Sequence, residues 1–147
     1  MSSLAIPPMN GELLANLTGI QEKLLALPQI DVQTDHVIHG GMYVRTIRLA
    51  PDVVLMGALI KISTVLIVSG RTKVFTGDGW IELAGYHVIP ARAGRKQIFV
   101  TQEETVITMI FRTEAQTVEQ AEEEFTDEAE LLMSKNSEND TVTVTGV

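Results

Sequence analysis

Residues 53–75 read VVLMGALIKISTVLIVSGRTKVF, an almost unbroken apolar run rich in β-branched side chains. Only Lys61, Ser63 and Thr64 interrupt it before Ser69-Gly70-Arg71. A buried helix can carry such a run, but Gly57, Gly70 and the Val/Ile/Thr content favour strands. Two core strands are expected, 53–60 and 64–68. A turn at Ser69-Gly70 then leads to a third, 72–76. The rest of the chain up to Arg112 is expected to pair around this centre.

The flanking sequence supports that reading. Residues 43–49 alternate, with Tyr43, Arg45, Ile47 and Leu49 on one face and Val44, Thr46 and Arg48 on the other. Ala50-Pro51-Asp52 is a turn. Gly77-Asp78-Gly79 predicts a hairpin between strands 72–76 and 80–83. A short strand at 86–89 follows Gly85, then a turn-rich basic loop, PARAGRK, at 90–96. Strands at 97–101 and 105–112 complete a set of about eight. Such spacing fits a β-sandwich or a small barrel.

Both ends differ from this centre. Residues 1–11 contain Pro7, Pro8 and Gly11 and read as an extended arm. Asn10 is placed to cap a helix over 12–27, where Leu13, Leu17, Ile20 and Leu24 form one stripe and Pro28 ends it. The segment 31–41 reads as a connector. Beyond the strands, Thr117-x-x-Gln120 is a capping box that opens an acidic helix, with Val118, Ala121, Phe125, Ala129 and Leu132 along its apolar side. Residues 134–140 are polar and expected to be loose. Residues 141–147, TVTVTGV, carry the Thr/Val alternation of a strand, which either finds a sheet edge in this subunit or a neighbour or frays as a tail. The parts are therefore an arm and helix (1–35), a β-domain (36–113), an acidic helix (114–133) and a tail (134–147).

A chain of 147 residues with 45% hydrophobic content suits one domain with a real core. Lys61 and Ser63 break the best membrane-spanning candidate, and the first eight residues lack the basic and apolar regions of a signal peptide. With no cysteine, disulfides and thiolate metal sites are excluded. The net charge of −8 is uneven: residues 114–147 hold ten Asp/Glu and one Lys, and the remainder is nearly neutral. Nucleic acid is not an expected partner, because phosphate contacts need clustered cations.

Several constellations invite a chemical reading. His36 and His39, with Asp31 and Asp35 nearby, are either a surface metal site or an incidental pair. His87 is expected to be a hydrogen-bonded structural residue. Glu103 and Glu104 are adjacent in a turn and cannot face each other across a substrate. Arg71, Lys73, Arg92, Arg95 and Lys96 are read as cations near a barrel mouth. They would bind a phosphate-bearing ligand, dock the acidic helix of a neighbouring copy through Glu119 and Glu123, or simply form a solubilising loop.

A further set of short motifs runs in order through residues 43–124: Met42-Tyr43-Val44-Arg45, Ile67-Val68-Ser69-Gly70-Arg71 and Gly77-Asp78-Gly79. These are followed by Ala93-Gly94-Arg95-Lys96, Glu103-Glu104-Thr105-Val106 and Thr113-Glu114 before the acidic helix. In these the chain resembles the small cupin-like proteins found mostly in tailed bacteriophages and prophages. The resemblance implies a mainly β, single-domain, cupin-like antiparallel jelly roll with an N-terminal helix, a C-terminal acidic helix and an extended tail. It also implies a metal site of two histidines four apart and a third on the last strand. The matching positions here are Ile60, Thr64 and Phe111. Two hydrocarbons and one hydroxyl do not supply the converging lone pairs that a divalent metal needs. Alternation places Ala58, Ile60 and Ile62 inward on one strand, and Ile107, Met109 and Phe111 inward on another. Hydrocarbon is therefore expected to fill the interior, with no metal and no cofactor.

From the resemblance, the leading expectation is a non-enzymatic structural protein of a phage. It would decorate or cement a capsid, or attach to another virion protein, as a dimer or trimer, and would reside in the virion or the host cytoplasm. The arm and Thr141, Val142, Thr143 and Val144 would supply its contacts. The alternative is a small-molecule module that binds a nucleotide signal through the basic set. A degenerate cupin enzyme is third.

Overall fold

In a computed structural model, residues 4–26, 32–132 and 140–145 of the chain are described. The elements are α1 (Gly11–Leu25), β1 (Gln33–His39), β2 (Met42–Leu49), β3 (Val54–Met56), β4 (Thr64–Phe75), β5 (Trp80–Ala91), β6 (Ile98–Thr101), β7 (Thr105–Arg112), α2 (Val118–Phe125) and β8 (Thr141–Val144). One curled sheet takes them in the order β3-β6-β4-β7-β2-β1-β8, with β5 along the other edge of β4. The chain is thus mainly β, with one helix before the sheet and one after β7. Because β8 runs parallel to β1, the sheet is mixed and not purely antiparallel.

The long apolar run is divided differently from the expectation. Strand β3 covers only Val54–Met56, and the chain from 57 to 63 makes a single bridge, Ile60 to Arg95. The expected turn at Ser69-Gly70 is absent, since β4 runs through it without a break. The physical reason is that β4 serves two neighbours on one edge. Val65–Ser69 pairs with β7 and Thr72–Phe75 pairs with β6. Between them the strand must bend, and Gly70 provides the bend at φ +144, opposite Gly85 at φ +85. A glycine pair at positive φ kinks the hairpin while the ladder continues. For the same reason the strands expected at 80–83 and 86–89 are one strand, β5. The Gly77-Asp78-Gly79 hairpin forms where predicted, with Phe75 opposite Trp80.

Residues 33–39, expected as a connector, are a strand. Gly40 and Gly41, at φ +60 and +74, join it to β2 in a tight hairpin. Polar residues at Gln33, Asp35 and His39 masked an inward set of Thr34, His36 and Ile38. The sheet therefore begins before the boundary drawn at residue 35.

The arm folds back onto its own subunit. Ile6 is fully buried and bridges Ala91, and the Met9 amide donates to the Gly94 carbonyl at 2.9 Å. Asn10 caps α1 as read, accepting from the Leu13 amide at 2.8 Å. Of the predicted stripe only Leu17 is fully buried, with Met9 and Ile98, while Ile20 is exposed. The helix ends at Leu25, and Pro28 lies outside the described residues.

Thr117 caps α2 through the Gln120 amide. The helix stops at Phe125, well short of the predicted extent, because the Phe125 carbonyl accepts from the Lys61 amide and Thr126 turns extended. The chain then crosses as a strap with a 3-10 turn at Ala129–Leu131. The stretch expected to be loose falls largely outside the described residues. Thr141–Val144 forms β8 on the β1 edge of the same subunit.

Candidate functional site

Inward-facing side chains of β2, β4 and β7 form the main core, as alternation predicted: Tyr43, Leu49, Leu66, Val68, Ile107, Met109 and Phe111 are all buried. The interior is nevertheless not filled. A cavity of about 110 Å³ remains, walled by Ile47, Ala58, Ile60, Phe99, Ile107 and Met109. Three polar residues, Arg45, Arg95 and Gln97, also line it. The expected hydrocarbon core is therefore corrected: side chains from the loop after β5 and from β2 bring donors to an otherwise apolar chamber.

Arg95, expected in a turn-rich basic loop near a barrel mouth, is fully buried. The loop is drawn inward because backbone bonds tie residue 60 to both Gly94 and Arg95, with Ile60 donating to the Arg95 carbonyl at 2.8 Å. The guanidinium is held on several sides. Its Nε donates to Gln97 Oε1 at 3.2 Å, one terminal nitrogen donates to the carbonyls of Ile62 and Arg92, and the other donates to Thr64 Oγ1 at 2.6 Å. Among the described residues no carboxylate lies in ion-pair range of it. Burial alone lowers its pKa to about 10. The neighbouring Gln97 is also buried. Its carbonyl oxygen accepts from Arg95, which leaves the buried Nε2 as a donor that has no partner among the described residues. A buried charge without a counter-charge and a buried amide without an acceptor are each unfavourable. Here they stand side by side on one cavity wall.

The second arginine is compensated. Arg45 donates to Glu122 Oε2 of α2 at 3.2 Å and to the Tyr43 hydroxyl at 3.3 Å, and lies over the Phe125 ring. The Tyr43 hydroxyl also shares a 2.7 Å hydrogen bond with His36, whose other ring nitrogen meets Asp140 at 3.0 Å. Burial raises the Tyr43 pKa, against the pull of Arg45. This network ties α2 and the start of β8 to the sheet. His36 is thus a buried structural residue, whereas His39 is exposed and bonded to Thr145. His87 bonds the Ala84 carbonyl.

The five cations read as one set serve separate tasks. Arg71 pairs with Glu82 on the hairpin, and Lys73 and Arg92 are exposed. Lys96 is buried and paired with Glu128 of the strap at 3.0 Å. Glu128 also accepts from the Leu59 amide, and Lys61 pairs with Asp127, so the strap is fixed over the cavity with Leu131 and Leu132 in its wall. Acid-to-base docking thus occurs within the chain, through Glu122 and Glu128. Glu119 and Glu123 are exposed.

The positions matched to metal ligands do not make a metal site. Ile60 lines the cavity, and Phe111 packs against Tyr43 and Phe125. The Thr64 hydroxyl is already accepting from Arg95. Among the described residues no three His, Asp or Glu side chains converge. A divalent cation beside an unneutralised guanidinium would also meet direct repulsion.

No protein-family model matches the chain, and no curated protein does. Solved structures do resemble it. One is a cupin superfamily protein from Desulfitobacterium hafniense, 13% identical, with a TM-score of 0.47 over 63% of this chain and 86% of that one. Another is a cupin-2 domain containing protein from Shewanella frigidimarina, 20% identical, with a TM-score of 0.41 over 63% and 91%. A protein of unknown function from Rhizobium leguminosarum is 16% identical, with a TM-score of 0.46 over 64% and 92%. Cupins are therefore among its neighbours. Chemistry does not come with that likeness and rests on the residues above.

Sequence reasoning missed the buried role of Arg95 and Gln97. One signal was available: Gly94 and the apolar Ile98-Phe99-Val100 bracket them, so a loop pinned between a glycine and a core strand had little room to lie outside.

Proposed function

We propose that the chain is a non-enzymatic binding protein for a small organic acid, held in the interior with its carboxylate on Arg95 and Gln97. The observation that carries this reading is the pairing of an unneutralised guanidinium with an unpartnered amide donor on the wall of an apolar cavity. Holding that charge at neutral pH with a pKa of about 10 costs about 3 kcal/mol. A carboxylate relieves the penalty and accepts from both donors, while the apolar walls take the hydrocarbon part. The volume suits roughly six to ten non-hydrogen atoms, the size of a branched short-chain or aromatic monocarboxylic acid.

Calorimetry and thermal shift with a panel of such acids, isovalerate and benzoate included, test the reading. A fitting acid is expected to raise the melting temperature, and its neutral amide to do so far less. Arg95→Met is expected to weaken binding by about 30-fold or more, since truncating one partner of a buried charge pair costs roughly 2–5 kcal/mol. Equal binding of acid and amide, or binding unchanged in Arg95→Met, would sink it.

A virion-attached role is a second reading, favoured by β8. That strand ends the sheet with all four residues exposed, and among the described residues no strand pairs with its outer edge, which strand addition by a partner could use. Mass spectrometry of purified particles tests it: absence from them counts against attachment.

A further inference from the structure

The cavity has two kinds of wall. Phe99, Ile107 and Met109 stand on β6 and β7, strands paired on both sides, so they cannot move aside without breaking the sheet. Two further walls are irregular chain. Residues 57–63, before β4, contribute Ala58 and Ile60, and the strap after α2 contributes Leu131 and Leu132. These two irregular segments meet along a seam.

The two sides of residues 57–61 are held differently. Toward the Arg95 loop the ties are backbone bonds: the Gly57 amide donates to the Gln97 carbonyl at 3.0 Å, Ile60 to the Arg95 carbonyl at 2.8 Å, and Gly94 to the Ile60 carbonyl at 2.8 Å. Toward the strap there is one such bond, from the Lys61 amide to the Phe125 carbonyl at the strap's root. Past that point two carboxylates fasten it. Asp127 meets Lys61 Nζ at 2.6 Å, and Glu128 takes the Leu59 amide at 2.7 Å and Lys96 Nζ at 3.0 Å. The Lys61–Asp127 pair lies in solvent and contributes little. The 3-10 turn buries none of its residues, and Leu132 is the one buried aliphatic side chain between 126 and 132. A segment held this way opens locally far more readily than a strand ladder. Opening also returns Lys96 and Glu128 to water, which offsets part of their lost attraction.

We infer that the strap, residues 126–132, is the gate of the cavity, latched by Asp127 and Glu128 onto Lys61, the Leu59 amide and Lys96. It turns about Thr126, where α2 gives way to extended chain, while Glu122 and Phe125 keep the helix on the sheet. Because Lys96 follows Arg95 in the chain, the latch closes beside the guanidinium. The gate is the route by which the acid proposed above enters, and it rests on that reading for its ligand alone.

Amide hydrogen exchange on the intact chain tests the gate without any ligand. The Lys61 amide is expected to exchange at least about tenfold faster than the ladder amides of β7, and faster again in Asp127→Asn with Glu128→Gln. Raised salt should act in the same direction, by screening the latch. Because the chain has no cysteine, a single thiol gives a second readout. Alkylation of Met109→Cys, in the cavity wall, should speed up by about tenfold or more when the two latch carboxylates are neutralised. Alkylation of Val68→Cys, equally buried but outside that wall, should not change. Neutralising Glu119 and Glu123 instead, exposed acids of α2, should change neither. Faster alkylation of Met109→Cys with no protection by benzoate would uphold the gate and count against the acid. A Lys61 amide as slow as the ladder, a latch variant that leaves the Met109→Cys rate unchanged, or equal acceleration of both thiols would overturn it.

Discussion

At the scale of single residues, the chain's unusual chemistry comes from one arginine whose surroundings fix its backbone and bury its charge. Arg95 makes hydrogen bonds to two carbonyls, a hydroxyl and an amide oxygen, yet none of these acceptors carries charge. Phe111 illustrates the opposite outcome. It is packed edge-on to Phe125 and tilted against Tyr43, and it is buried. Phe111→Ala should therefore destabilise the fold by about 3–5 kcal/mol, read from chemical denaturation. A loss under about 1 kcal/mol would mean that the ring borders open space.

Among the elements, the β4–β5 hairpin matters most, because one bent strand joins two parts of the sheet. A Cβ on Gly70 would lie 2.5 Å from the Glu104 carbonyl oxygen and 2.7 Å from the Thr105 Cα, both backbone atoms that cannot yield cheaply. With the positive φ added, Gly70→Ala is expected to destabilise by more than about 2 kcal/mol in urea melts. Gly79→Ala, with no atom within 4 Å but also at positive φ, should be milder. Helix α2 is fastened by charge as well as by Phe125. Glu122→Ala removes the carboxylate that meets the buried Arg45 at 3.2 Å and should cost about 3–5 kcal/mol. If it costs under about 1 kcal/mol, α2 is held by its apolar side alone.

For the whole molecule, pH dependence separates fold from binding. Tyr43 has its pKa raised by burial, so below pH 10 it is neutral in both folded and unfolded chains and its contribution is fully present. Above pH 10 the unfolded chain ionises first, and stability falls as pH rises, by up to about 1.4 kcal/mol per pH unit. Arg95, with its pKa depressed to about 10, acts in the other direction on the fold, since deprotonation there removes a buried charge. The two differ in what they do to a ligand. Acid binding should hold steady through neutral pH and decline above pH 10 as Arg95 loses its proton. Stability of Tyr43→Phe should decline less steeply than that of the parent over the same range. Denaturant titrations at stepped pH, with and without an acid, check both. An acid affinity flat through pH 11 would mean that the Arg95 guanidinium keeps its proton there, and Arg95→Met then decides whether it holds the acid.

The sequence alone determined what depends on nearest neighbours and periodicity. Alternation set the inward faces of β2 and β7, Gly77-Asp78-Gly79 set the hairpin, and Asn10 and Thr117 set the helix starts. Each is decided within a few residues of chain. Tertiary structure decided the rest. Gly70 is a kink and not a turn because β4 has two different neighbours along one edge, which no local window records. The polar connector at 33–39 is a strand because β2 offers it an edge. Arg95 is buried because residue 60, far away in sequence, bonds its backbone, and Lys96 because Glu128 reaches its side chain. Whether a cation meets water, a carboxylate or an apolar hollow depends on which distant segments close around it.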